Sequence, residues 1–182
     1  QNPNINKDVL TVPHIVNLSR READIAITLE RPARGPYICS KLCDYRLALY
    51  ATPAYLAAQA PITTRDDLST HRFVNYVHEL AFSAQLLYLD ELVPGAHSSL
   101  RSTSALAQYH AVLQGHALAI LPCFMAGGDA RLVPVLADEL SITRQFWLSY
   151  SEDLRRLKRV TEVAQHLLQA AQMHSGLLMG TH

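Results

Sequence analysis

The sequence predicts an α/β fold, on three observations. Apolar runs of strand length alternate along the chain with segments whose apolar residues recur at three and four. Residues 117–122, ALAILP, have no polar alternation, as a strand covered on both faces requires. Near the start, strand, short helix and strand follow one another, a βαβ pattern that implies parallel strands and a right-handed crossover.

Residues 5–12 (INKDVLTV) alternate enough for a half-buried strand. Pro13 suits a first helical turn, and Ile15 and Leu18 share one face of a short helix over 13–23. Residues 23–32 (ADIAITLERP) are a buried strand running into a loop at Glu30-Arg31-Pro32, and 33–44, with Gly35-Pro36, are loop. A strand follows over 45–51. Thr52 as N-cap and Pro53 at the first helical position open a helix over 52–60. Residues 63–71 form a short acidic helix and 72–77 (RFVNYV) a strand. Residues 78–100 show no single period, only strand pieces and a turn at Pro94-Gly95.

A helix then starts at Ser104, with Ala105, Leu106, Tyr109, Val112 and Leu113 on one face and Gly115 as its C-terminal cap. The strand at 117–122 leads to a helical turn at 123–128 and to strands at 132–136 and 144–151. The clearest helix spans 153–172, where Leu154, Leu157, Val160, Ala164, Leu167 and Leu168 repeat at three and four.

Composition narrows the function. Apolar residues make up 49% of the 182, enough for a buried core. Sixteen Lys and Arg balance sixteen Asp and Glu, so the chain as a whole lacks the basic surface that nucleic acid needs. The run Arg155, Arg156, Lys158, Arg159 reads more simply as the solvated face of a helix than as a phosphate-binding patch. Cys39, Cys43 and Cys123 form neither a paired framework nor a zinc set, which favours a reducing, cytoplasmic setting. No apolar run reaches membrane-spanning length, and the polar N-terminus does not resemble a signal peptide. It reads as though it begins within a longer protein. None of the nine His is spaced for a metal site, and no catalytic motif or cofactor fingerprint occurs. Neither an enzyme, a metal nor a cofactor is expected.

Ser102-Thr103-Ser104 stands out. A helix start offers unpaired N–H groups and the positive end of the helix dipole, and hydroxyls add donors without negative charge. Such a start suits a carboxylate or phosphate. The same residues are also ordinary N-caps, so both roles are open. Cys123, at a strand-to-helix turn, is open to two readings as well: a thiolate stabilised by helix amides, or more simply a small buried residue.

Taken in order, NLSRREADIAITLERP, LALYATPAYLAAQAPITTRDDLSTHRFVNY, LRSTSALAQYHAVLQGHALAILPCFMA and FWLSYSEDLRRLKRV resemble the effector-binding region of LysR-type transcriptional regulators, from the first residues to about Gln172. The resemblance implies a two-lobed fold like type II periplasmic binding proteins, each lobe a mixed sheet flanked by helices. Lobe one would hold 1–47 and 152–182, and lobe two 48–151. It implies a bacterial, cytoplasmic sensor of a small, often anionic metabolite held between the lobes, working as a homodimer or homotetramer, without a membrane. DNA would be bound only through an N-terminal helix-turn-helix upstream of this sequence. The linker helix, the first strand and most of the first helix of lobe one would also lie upstream.

The implied effector residues are Thr11, Pro13, Thr28 and Arg31 in lobe one. In lobe two they are Tyr76, Val77, His78, Ser102, Thr103, Ser104, Leu121, Pro122 and Cys123. All lie at strand ends or helix starts, where open α/β sheets place ligands. Arg31 could grip an acid bidentately or serve a loop salt bridge. A transporter's periplasmic solute-binding protein is the alternative on the same scaffold, told apart by what precedes Gln1.

Overall fold

A computed structural model describes residues 6–11, 18, 22–32 and 35–181. The chain forms two compact units, one of residues 1–43 with 145–173, the other of residues 44–144 with 174–182. The expected lobes put all of 152–182 in the first; in the structure residues 174–182 group with the second unit.

In the first unit, β1 (Ile25–Thr28) pairs antiparallel with the later part of β7 (Ser141–Ser151), Ile25 opposite Tyr150 and Thr28 opposite Trp147. Residues 6–11 have no regular secondary structure and are exposed, so the strand expected over 5–12 is not formed in its described part. The parallel βαβ pairing expected there gives way to the antiparallel β1–β7 ladder. Most of the short helix expected over 13–23, with Ile15, lies outside the described residues; Leu18 is buried. Residues 37–44 are strand rather than loop. Gly35-Pro36 bends, and β2 (Tyr37–Ala51) runs on from it as a single strand of 15 residues. The first unit is completed by a 3-10 turn (Glu152–Arg156) and the long helix α5 (Lys158–Met173).

The second unit is built on the C-terminal half of β2. Thr52 caps α1 (Pro53–Ala58) as its spelling predicts, its Oγ1 accepting from the Tyr55 N–H at 3.2 Å. A 3-10 turn over Asp66–Thr70 stands in place of the short acidic helix. Asp67 holds its start by accepting the Thr63 and Thr64 N–H groups, both at 2.8 Å. β3 (Arg72–Asn75) follows. The stretch 78–100, which shows no single period, becomes two 3-10 turns, α2 (Tyr88–Leu92) and β4 (His97–Arg101), with Gly95 turning at φ 78°.

Then come α3 (Ala105–Leu113), β5 (Leu118–Pro122), α4 (Cys123–Ala126) and the two-residue β6 (Val133–Pro134). The sheet order in this unit is β2-β5-β3-β4, with β6 also on β2. β5 is antiparallel to β2 and parallel to β3, which is parallel to β4. The sheet is therefore mixed, and β5 is buried along its whole length as its unbroken apolar run requires.

The core on the α3 side gathers Tyr50, Val74, Val112, Ala119, Leu121 and Ala126. Leu106, expected on this face, is 57% exposed, and Gln108 takes its place with no exposure at all. The chain closes with α5 (Lys158–Met173), burying Val160 and Ala164, and α6 (Ser175–Met179), which packs on α4. No described helix is long and apolar enough to cross a membrane.

Candidate functional site

In the second unit the C-terminal end of β3 meets the approach to α3 that follows β4, and a backbone hydrogen bond joins them. The Ser102 N–H donates to the Asn75 carbonyl at 3.0 Å, which ties the α3 approach to the end of β3. The Ser104 N–H donates to Ser102 Oγ at 3.1 Å. Ser104 Oγ in turn accepts from the Ala107 N–H at 3.3 Å, so Ser104 is the N-cap. One hydroxyl of the triplet thus caps and one braces the loop. The Thr103 hydroxyl and the Ala105 and Leu106 N–H groups have no protein partner among the described residues. These are the orphan donors that a helix start leaves over once one cap is in place. The first turn of α3 has no acidic residue to repel an anion.

Gln108 is the residue that reading the sequence missed. Side chains on a helix lean toward its N-terminus, so a residue one turn in can reach back to the approach loop. Gln108 Nε2 donates to the Ser102 carbonyl at 2.8 Å, which also fixes which amide atom is which. Its Oε1 is left buried and without a partner. A buried amide oxygen without a donor costs about 1–3 kcal/mol. The nearest sequence signal was a polar residue four positions after a capping Ser.

The β3 end carries a second polar cluster. The Tyr76 N–H donates to Asn75 Oδ1 at 2.7 Å, and Tyr76 is buried, which raises its hydroxyl pKa. Val77 is half-buried. His78 Nε2 meets Asp90 Oδ2 at 2.6 Å, and Asn75 Nδ2 reaches Asp90 Oδ1 at 3.5 Å. Arg101 pairs with Glu79 at 3.6 Å. Asp90 sits on α2, inside the stretch whose period was unreadable, so its contact with His78 had no sequence signal.

At the β5 end, Leu121 and Cys123 point into the core, and Pro122 is buried as well. A Cβ on Gly180 would stand 2.8 Å from Cys123 Cβ and 3.3 Å from its Sγ. The residue after α6 therefore lies over the cysteine and has to be glycine, also because its φ is 71°. Burial, and then the neighbouring thiol, push the Tyr50 hydroxyl pKa upward. Cys123 is a covered core residue.

The remaining expected residues are in the first unit. Thr11 is exposed, and Pro13 lies outside the described residues. Thr28 Oγ1 donates to the Glu30 carbonyl at 2.7 Å and closes the turn after β1. The Arg31 guanidinium stands 5.7 Å from the centre of the Trp147 ring, a cation–π contact. Among the described residues no three His, Cys, Asp or Glu side chains gather as a metal site would need.

Farther along α3, Tyr109 donates to Asp129, and Arg131 grips the same carboxylate through Nε at 3.0 Å and Nη2 at 2.8 Å. Arg131 and then Tyr109 hold the Asp129 carboxyl well below the usual carboxylate range. This cluster pins the middle of α3 to the loop after α4.

The family model of the LysR substrate binding domain matches residues 1–172, and the chain belongs to that family. It is a family of binding domains, not of enzymes. The HTH-type transcriptional regulator PtxR of Pseudomonas aeruginosa is 26% identical over 144 residues, covering 75% of this chain and 45% of the relative. The iron-regulated virulence regulatory protein IrgB of Vibrio cholerae is 28% identical over 116 residues, covering 59% and 37%. The chain spans less than half the length of these curated relatives. The CrgA regulatory domain of Neisseria meningitidis superposes with a TM-score of 0.72 at 22% identity, covering 85% of this chain and 78% of that one. Full-length AphB of Vibrio cholerae gives 0.72 at 17%, covering 93% and 59%. The fold is that of LysR regulatory domains, the periplasmic-binding-protein-like α/β class.

Proposed function

We propose that this chain is the effector-sensing domain of a bacterial LysR-type transcriptional regulator and that its effector is a small carboxylate or another small anion. The carrying observation is the start of α3. Ser104 caps the helix by itself, and that leaves the Thr103 hydroxyl and two first-turn N–H groups as donors with no acid beside them. The effector acts by favouring one of two arrangements of a homodimer or homotetramer in the cytoplasm, and an N-terminal helix-turn-helix carries the DNA contact. The relatives' names as regulators support this over solute transport.

Calorimetry against inorganic phosphate and a panel of mono- and dicarboxylates tests the reading. Thr103→Ala with Ser102→Ala is expected to weaken any anion that binds at least tenfold. Unchanged affinity in this double variant would remove the helix-start assignment.

A further inference from the structure

We infer that Gln108 is a positioning residue for the anion-binding start of α3, holding the 102–104 loop in its binding geometry at the expense of the core's own stability. The inference rests on the anion reading above and names the residue that maintains it.

Three observations carry it. Gln108 is fully buried on a helix whose other fully buried residue, Val112, is apolar, so packing alone asks for an apolar side chain here. Only one end of its amide is used: Nε2 holds the Ser102 carbonyl while Oε1 is buried and unpaired. A half-satisfied buried amide is worse for stability than a well-packed apolar side chain of the same shape. Finally, the atom it holds is the hub of the loop. Ser102 is bound at its carbonyl by Gln108, at its N–H by Asn75, and at its hydroxyl by Ser104. Releasing the carbonyl frees the segment that aims Thr103 and the first-turn amides outward. A local rule broken without a stabilising return, beside a candidate site, is what a functional constraint produces.

Substitution by methionine separates a core role from a positioning role, because it keeps the length and volume of the side chain and removes both polar atoms. In the full chain, Gln108→Met is expected to leave the thermal midpoint unchanged or raise it. It is also expected to speed amide hydrogen exchange at residues 102–106 at least tenfold, and to weaken the tightest-binding anion among phosphate and the small carboxylates at least tenfold. Gln108→Glu, which loses the Nε2 donor and adds a negative charge, is expected to abolish that binding.

A lowered midpoint in Gln108→Met with exchange at 102–106 unaltered would make Gln108 an ordinary core residue and overturn the inference. So would anion affinity within twofold of the unsubstituted chain, which leaves the anion reading standing. If the unsubstituted chain binds none of the anions, the anion reading falls, and the inference falls with it.

Discussion

Helices α3 and α5 bury the same geometry with different chemistry. Each has two buried residues four positions apart, Gln108 and Val112 on α3, Val160 and Ala164 on α5. On α5 both are apolar, and neither makes a side-chain hydrogen bond. On α3 one of the pair is an amide that reaches back to the approach loop, while Leu106 faces outward. The pair on α5 serves packing alone; the pair on α3 divides its surface between packing and the organisation of a loop. The helix that departs from its own apolar pattern is the one beside the candidate site.

That contrast is open to direct attack. Val160→Ala on α5 removes two buried carbons and is expected to lower the unfolding free energy by about 1.5 kcal/mol in urea titration. Gln108→Met at the equivalent place on α3 is expected to cost nothing, and a comparable loss there would erase the distinction between the helices. Ser104→Ala removes the α3 cap and is expected to cost about 1 kcal/mol by the same titration, within the 0.5–2 kcal/mol range of cap losses. Because the cap is a hydroxyl, that loss is the same at pH 7 and pH 3.

The 3-10 turn before β3 is held differently, by a carboxylate, and there pH matters. The Thr63 and Thr64 N–H groups and hydroxyls hold the Asp67 pKa down to about 2, from an ordinary 3.8. A depressed carboxylate contributes in full above its unfolded pKa and loses that contribution as pH falls through the folded one. Stability from Asp67 is therefore present above about pH 4 and fades toward pH 2, and Asp67→Asn should flatten the unfolding curve over that window. The smallest effect belongs to Leu106→Ala. Its side chain is 57% exposed, so the change should stay within about 0.5 kcal/mol. A larger loss would restore Leu106 to the core face where its apolar character first put it.

The helix caps show what was legible. Thr52-Pro53 and Ser104 act locally, through a side chain bonding an N–H three residues on, and both caps form as spelled. β5 was legible because six consecutive apolar or small residues fit only a strand covered on both faces. The face of α3 was not: its apolar residues put Leu106 on the buried face, and nothing within the helix signalled that Gln108 would be buried instead. Residues 78–100 were unreadable because 3-10 turns have no lasting period. The strand 37–51 hid its first half behind Ser40, Lys41 and Asp44, polar residues that a partly exposed strand tolerates.

Local chemistry in the sequence determined the α/β class, the caps, the buried central strand, the long terminal helix and the hydroxyl triplet. These depend on neighbours within one turn or on alternation within one strand. Tertiary structure alone decided that Ser102 would be held by Gln108 and Asn75, that His78 would meet Asp90, that Cys123 would lie under Gly180, and that β1 would run antiparallel to β7. The physical reason is reach. A cap is made within three residues, whereas these contacts join groups set side by side only when strands pair and helices pack.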